Sequence, residues 1–268
     1  MKDDLRIAEI PLTTLRTDGQ LWQAFYAVQA PWIAAGVTRW LELVRADGPW
    51  PALVVAAWRP EQPTQLLGTI VGMWAPVPVT RFDDLLEKRC PDGRIGAERP
   101  TDGVWHFIAA TVGPGAEGLN LGRRLVGAAL AWMAVHAPQA RARTLSPAVG
   151  LPRLLGLLGD THAVRESVLH IANAKGQPAL EILRLHLGAG ATLDAILTRS
   201  RRDEARSGCV TLRFAYAVDP AAREAQKARY DAWLERRTAQ IATGSARALA
   251  DPALWQVADA GDADVAAG

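Results

Sequence analysis

Four glycines, at positions 113, 115, 118 and 122, fall within the segment Thr111–Leu125 (TVGPGAEGLNLGRRL). The run before it reads as a strand and the run after it as a helix. A helix start leaves about four backbone N–H groups without intrahelical acceptors, at the positive end of the helix dipole. Small residues let an anion approach those groups, and Arg123 and Arg124 add positive charge directly behind them. The chemistry this permits is phosphate binding. On spacing alone the segment reads equally as a phosphate cradle or as a plain tight turn. It has no Gly-Lys-Ser/Thr of a nucleoside-triphosphate loop and does not follow Gly-x-Gly-x-x-Gly.

The five histidines are the other candidates for chemistry. His186 ends an apolar helical stretch, EILRLHL, and on its own reads as a core histidine or one near a helix C-terminus. His106 sits in the strand beside Trp105 and reads as a buried, hydrogen-bonded histidine. His136, His162 and His170 read as surface or loop residues. No His/Cys/Asp/Glu spacing resembles a metal site. Cys90 and Cys209 are far apart and read as reduced thiols of a cytosolic protein. Arg199, Arg201 and Arg202, with Asp203 and Glu204, read as a solvated loop.

These residues must be positioned by a mixed set of elements. Leu5–Pro11 reads as a short strand. Leu21–Ala30 and Trp32–Arg45 read as helices broken at Pro31. Ala52–Trp58 and Gln65–Trp74 read as a hairpin around a turn with two prolines. A long polar stretch follows, with a helical turn expected at Phe82–Lys88. Val104–Val112 is apolar on both faces, as a central strand is. The helix after the glycines runs to about His136, with Leu121, Leu125, Ala128 and Trp132 on one face. Arg141–Pro147 reads as a strand, Leu151–Leu158 as a short helix and Pro178–Leu187 as a helix. Ala163–Gly176 is ambiguous. Ala191–Leu197 and Cys209–Ala217 read as closing strands around a polar loop, and Pro220–Ile241 as a charged helix. Strands interleaved with helices predict an α/β or α+β class in one domain.

Composition sets outer bounds. Hydrophobic residues at 49% and charged residues at 22% describe a globular chain with a sizeable core. A net charge of +2 is too weak a bias to argue for nucleic acid. No apolar run approaches the roughly 18 residues a membrane span requires, and the N-terminal residues do not read as a secretory signal. The expectation is a soluble, cytoplasmic protein. The ten tryptophans follow no period and read mostly as core or groove lining.

The strand, glycine-bearing loop and Leu-Gly-x-x-Leu of residues 121–125 resemble the coenzyme A-binding motif of the GNAT superfamily of acyltransferases, Arg/Gln-x-x-Gly-x-Gly/Ala. Glu117, Asn120 and Gly122 stand at the matching positions. Asn can take the left-handed backbone angles of the first Gly, whereas Glu117 departs from the pattern. The resemblance covers residues 5–217 and implies a single GNAT-fold domain over 1–218: a mixed central sheet flanked by helices. A C-terminal helix over 219–242 and a flexible tail over 243–268 would follow. It also implies that the backbone of Thr111 and Val112 pairs with a pantetheine arm. The amides of Gly118, Leu119, Asn120, Leu121, Gly122, Arg123 and Arg124 would hold the pyrophosphate.

A second resemblance bears on the chemistry. The Asn and Tyr that follow the next strand in an ordinary GNAT acetyltransferase are absent from RTLSPAVGLPRLLGLLG. Thr144-Leu145-Ser146-Pro147-Ala148-Val149-Gly150-Leu151 is instead similar to the Ser-Leu-Ser-Pro-Ile-Pro-Gly-Phe motif of malonyl-CoA decarboxylases. His186-Leu187-Gly188-Ala189-Gly190-Ala191 is similar to their His-Leu-x-Asn-Gly-Ala, and Arg213-Phe214-Ala215-Tyr216 closes the pattern. GNAT-like domains of polyketide synthases, which decarboxylate malonyl groups on carrier proteins, are related. This resemblance implies that His186 protonates an enolate and that Thr144 or Ser146 hydrogen-bonds the carboxylate or thioester.

Three functions follow as expectations. The first is an acyl-CoA-dependent acyltransferase of the GNAT type, moving an acyl group to a small-molecule amine or hydroxyl. The second is a malonyl-CoA or malonyl-carrier decarboxylase using His186. The third is a non-catalytic acyl-CoA-binding protein. Acyl-coenzyme A, as acetyl-CoA or malonyl-CoA, is the expected co-substrate, with no metal. The partners expected are an acyl acceptor or an acyl-carrier protein, with no nucleic acid and no membrane; a homodimer contact is compatible with the terminal helix.

Overall fold

The computed structural model describes residues 4–31, 52–79, 101–116, 118–158, 171–173, 175–197 and 210–242, with the isolated positions 41, 44, 164, 168 and 207. The chain divides into two compact units between Arg143 and Thr144. Its class is the expected α/β (α+β), with helices flanking sheet strands and a C-terminal helix.

The first unit carries β1 (Arg6–Glu9), α1 (Leu12–Thr17), α2 (Gly19–Val28), β2 (Ala52–Arg59), β3 (Gln62–Ala75), β4 (Val104–Val112) and α3 (Leu121–His136). The strands lie in the order β1-β2-β3-β4, each antiparallel to the next. The expected hairpin is β2–β3, and its strands reach Arg59 and Gln62, so the turn is tighter than the sequence reading. The helix α1 was not expected. It is a short element, and Asp18 separates it from α2 by capping the second helix: its carboxylate accepts from the amides of Gln20 and Leu21 at 2.9 and 3.0 Å. α2 therefore starts at Gly19, ahead of the expected Leu21.

β4 matches its expected span, and Trp105, Phe107 and Ile108 are among the largest fully buried side chains. α3 also spans the expected residues, but its buried stripe is Leu121, Leu125, Val126, Ala129, Leu130 and Met133. Ala128 and Trp132 are only half-buried at its edge. Close approach of α3 to β3 depends on Gly68, where an added Cβ would lie 3.0 Å from Leu121 Cδ2 and 3.1 Å from Leu125 Cδ1. Indole Nε1 of Trp132 donates to Glu9 Oε2 at 2.7 Å, tying α3 to β1.

β5 (Arg141–Pro147) crosses the boundary between the units. The second unit continues with α4 (Leu151–Leu158), α5 (Glu181–Leu187), β6 (Ala191–Leu197), β7 (Thr211–Tyr216) and α6 (Pro220–Ala242). The strands run β5-β7-β6, with β6 and β7 antiparallel. α5 starts at Glu181, three residues later than expected from Pro178, because Leu180 is still extended at its N-cap. Tyr230, Trp233 and Arg237 form the buried stripe of α6, spaced for one helix face.

Most of the helix expected at Trp32–Arg45 lies outside the described residues, as do the Phe82–Lys88 turn, Glu117, His162, His170, Cys90, Cys209, the cluster from Arg199 to Glu204 and the tail over 243–268. Among the described residues, no helix is long and apolar enough to cross a membrane.

Candidate active site

The polar centre of the second unit is built on one face of β5 and β7. Residues two apart on a strand share a face, so Thr144 and Ser146 fall on one side of β5, and Phe214 and Tyr216 on one side of β7. His186, in the last turn of α5, completes the cluster. Its Nε2 lies 2.9 Å from Ser146 Oγ, and its Nδ1 lies 2.7 Å from the Tyr216 hydroxyl. The imidazole packs against Phe214 with ring centroids 4.3 Å apart. Ser146, His186 and Tyr216 thus form one buried hydrogen-bonded chain.

The chain's location fixes its electrostatics. Burial disfavours the imidazolium and lowers the His186 pKa from 6.5 to about 3. The ring is therefore neutral at physiological pH, with one N–H and one acceptor nitrogen. In one tautomer Tyr216 O–H donates to Nδ1, Nε2–H donates to Ser146 Oγ, and the Ser146 proton is left to point outward. In the other the direction reverses. Ser146 is 8% exposed, against 2% for His186 and 4% for Tyr216, so it is the end of the chain that a ligand reaches most readily.

Thr144 is 2% exposed, and its Oγ1 has no hydrogen-bond partner among the described residues. An unpaired buried hydroxyl costs about 1–3 kcal/mol. Such an orphan beside a proton-carrying chain is the kind of group a ligand oxygen would satisfy.

The loop after His186 is set by Gly190. Its φ is +83°, and an added Cβ would lie 2.5 Å from the Arg223 carbonyl oxygen of α6. Only glycine fits there, so the glycine of the sequence motif lets the turn between α5 and β6 pack against the backbone of α6.

In the first unit the glycine segment has the backbone its residues permit. Gly115 and Gly118 have φ of +81° and +77°, and Asn120 adopts the left-handed region at φ +50° just before α3. Leu119 donates to the Ala116 carbonyl and Arg124 to the Asn120 carbonyl, each at 3.3 Å, so these two amides of the expected cradle are engaged within the segment. Leu121 is buried under β3, Gly122 and Arg123 are half-buried, and Arg124 is exposed. Thr111 is buried while Val112 is 43% exposed at the end of β4. His106 is fully buried, and its Nε2 accepts from the Val79 amide at 3.3 Å. His136 is an exposed residue of α3, its ring 4.8 Å from that of Trp132.

Solved structures with this architecture include malonyl-CoA decarboxylase from Agrobacterium vitis, with a TM-score of 0.63 and 18% identity over 94% of this chain and 66% of that one. The loading GNATL domain of CurA from Lyngbya majuscula has a TM-score of 0.55 and 14% identity over 80% of this chain and 98% of that one. The GNAT-like decarboxylase GphF, solved in complex with isobutyryl-CoA, has a TM-score of 0.53 and 16% identity over 80% of this chain and 100% of that one. The chain has the GNAT fold. It spans just under two thirds of the length of the Agrobacterium decarboxylase and 60% of the Rhodopseudomonas palustris enzyme. No protein-family model matches the chain, and no curated protein sequence does.

Within this GNAT fold, Ser146 and His186 are joined directly, and Thr144 shares their strand face without joining the chain. Tyr216 was read from the sequence only as a closing aromatic; its hydroxyl is the third member. The signal was available in the alternation of Phe214 and Tyr216 on a strand following a histidine helix, but the identity of the hydroxyl's partner needed the fold. Among the described residues, no group of three or more His, Cys, Asp or Glu side chains could hold a metal ion.

Proposed function

We propose that this protein is a GNAT-fold decarboxylase of a malonyl thioester, releasing carbon dioxide and an acetyl thioester. The observation that carries the reading is the buried Ser146–His186–Tyr216 chain, assembled from the segments that resemble the decarboxylase motifs.

The C–C bond to the carboxylate breaks, and its electron pair moves into the thioester as an enolate. A low-dielectric pocket favours this step, since the charge leaves a compact carboxylate for a delocalised enolate. Thr144 Oγ1 donates to the thioester oxygen, where the negative charge collects. Ser146, backed by Nε2–H of His186, delivers one proton to the α-carbon. The proton is replaced through His186 and Tyr216, and finally from solvent. Acyl-coenzyme A is the co-substrate in this reading, with the backbone of Thr111 and Val112 pairing the pantetheine arm and the amides of Gly118, Asn120, Leu121, Gly122 and Arg123 holding the pyrophosphate, those of Leu119 and Arg124 being engaged within the segment. An acyl-carrier protein presents the same pantetheine.

Transfer to an amine is the competing reading, and it asks for a base that removes an acceptor proton. A histidine whose pKa is lowered to about 3 is a poor base for that task. The same neutral ring is suited to handing a proton to a strongly basic enolate.

The test offers the pure protein malonyl-CoA and a malonyl-loaded carrier protein, followed by mass spectrometry of the thioester. The expected result is an acetyl thioester, with rates reduced at least about a hundredfold in Ser146→Ala and His186→Gln. An intact malonyl thioester, together with acetyl transfer from acetyl-CoA to an amine panel, would overturn the proposal in favour of the transferase. Binding of thioesters with neither reaction would leave a non-catalytic binder.

A further inference from the structure

The first unit contains a cluster of buried polar side chains that the chemistry above does not use, although the backbone of one member, Thr111, belongs to the proposed pantetheine contact. Gln29, directly after α2, is fully buried, as is Thr69 of β3, and Thr111 of β4 is 7% exposed. Gln29 Nε2 donates to Thr69 Oγ1 at 2.5 Å, and Thr111 Oγ1 donates to Gln29 Oε1 at 2.9 Å. One side-chain amide thus joins a helix end to two adjacent strands. Buried apolar residues flank it along the chain and in the ladder: Phe25 and Val28 on α2, and the paired Val71 and Ile108 on β3 and β4.

The cluster sits where the sheet pattern breaks. On β3 the register runs from Thr69 to Val71, a step of two, while on β4 the partners run from Thr111 to Ile108, a step of three. β4 therefore carries one extra residue there, a β-bulge. Residues an odd number apart on a regular strand face opposite sides. The bulge brings Thr111 back to the face of Ile108 and Thr69, where Gln29 meets it. The strand ends one residue past Thr111: Val112 still pairs with Gly68 but is exposed, and Gly113 N–H donates to the Leu67 carbonyl at 2.8 Å.

A bulge weakens the local ladder, and an apolar contact would seal this position without fixing its direction. A fully satisfied buried polar network specifies one arrangement, since any other leaves a buried polar group unpaired. We infer that Gln29 is a positioning residue which, with Thr69 and Thr111, clamps the bulged end of β4 in the conformation that a pantetheine arm pairs with. The inference rests on the thioester reading above for its purpose, and on the network alone for the clamp.

Two readouts separate these. In the free protein, hydrogen–deuterium exchange of the peptide covering residues 108–113 is expected to accelerate about tenfold in Gln29→Leu and in the near-isosteric Thr111→Val. Exchange in β6 and β7 is expected to stay unchanged, and Thr111→Ser, which keeps the hydroxyl, to restore the wild-type rate. With malonyl-CoA as substrate, KM is expected to rise about tenfold in Gln29→Leu and Thr111→Val while kcat stays within about threefold. Unchanged exchange in both variants would overturn the clamp. Faster exchange with unchanged KM would reduce the cluster to a stability element and overturn the positioning role. If the wild-type protein turns over no thioester, the functional reading fails, and the exchange data alone decide the clamp. Thr69→Val, which removes the other arm of the network, serves if Gln29→Leu does not fold.

Discussion

Acidification is expected to destabilise this protein through His186. In the folded chain burial lowers the His186 pKa to about 3, while the unfolded chain keeps the ordinary value of 6.5. Between these values the unfolded state binds a proton that the folded state refuses, so stability falls as pH falls. The contribution is constant above about pH 7.5, declines through 6.5, and levels off near pH 3. At pH 5 the unfolded ring is almost fully protonated and the folded ring almost wholly neutral. With 1.5 pH units between 6.5 and 5, at about 1.36 kcal/mol per unit, the cost at pH 5 is about 2 kcal/mol. The assay is urea unfolding of wild type and His186→Gln at pH 8 and pH 5. Other titrating groups are shared by both proteins and cancel in the difference. The wild type is expected to lose about 2 kcal/mol more than the variant over this interval. Equal losses in the two proteins, or a His186 ring signal that titrates between pH 5.5 and 7, would refute the reasoning that places a neutral imidazole in the chain.

Further outcomes follow from single groups. Thr144→Val removes the orphan hydroxyl while keeping the side-chain shape, so thermal unfolding is expected to show a stability gain of about 1 kcal/mol alongside an at least tenfold fall in decarboxylation rate. Tyr216→Phe keeps the ring beside His186 but leaves Nδ1 without its partner; it is expected to cost about 1–2 kcal/mol in chemical denaturation and to slow turnover without changing KM. Gly190→Ala forces a Cβ against the Arg223 carbonyl at a positive φ, and loss of about 3 kcal/mol or more is expected by circular dichroism melting. Arg213→Ala breaks a partly exposed pair with Asp194 at 2.6 Å, and a change below about 1 kcal/mol with unaltered turnover marks it as peripheral.

Much of the scaffold was legible because its periods are strong. β4 is apolar on both faces, and α3 switches at once to a helical period, so both spans were read correctly. α1 was not, since a one-and-a-half-turn helix has too few residues to show a period. The start of α2 depended on Asp18 acting as a cap instead of a loop residue. In the candidate site, motif resemblance singled out Thr144, Ser146 and His186. It could not tell which hydroxyl meets the imidazole, because that depends on how α5 lies over β5 and β7. Tyr216 and Gln29 were missed for the same reason: each gains its role from a partner 30 or more residues away. The left-handed turn at Asn120 was readable from the residue type, whereas the use of the Leu119 amide by Ala116 was not.

The most direct test of the central claim is a single turnover of malonyl-CoA in deuterium oxide, with mass spectrometry of the thioester and detection of released carbon dioxide. Delivery of one proton to the α-carbon predicts acetyl-CoA carrying one deuterium, formed in step with the gas, and lost when Ser146 or His186 is replaced. Malonyl-CoA recovered intact from the wild-type protein, or product formation that persists in Ser146→Ala and His186→Gln, would contradict the account.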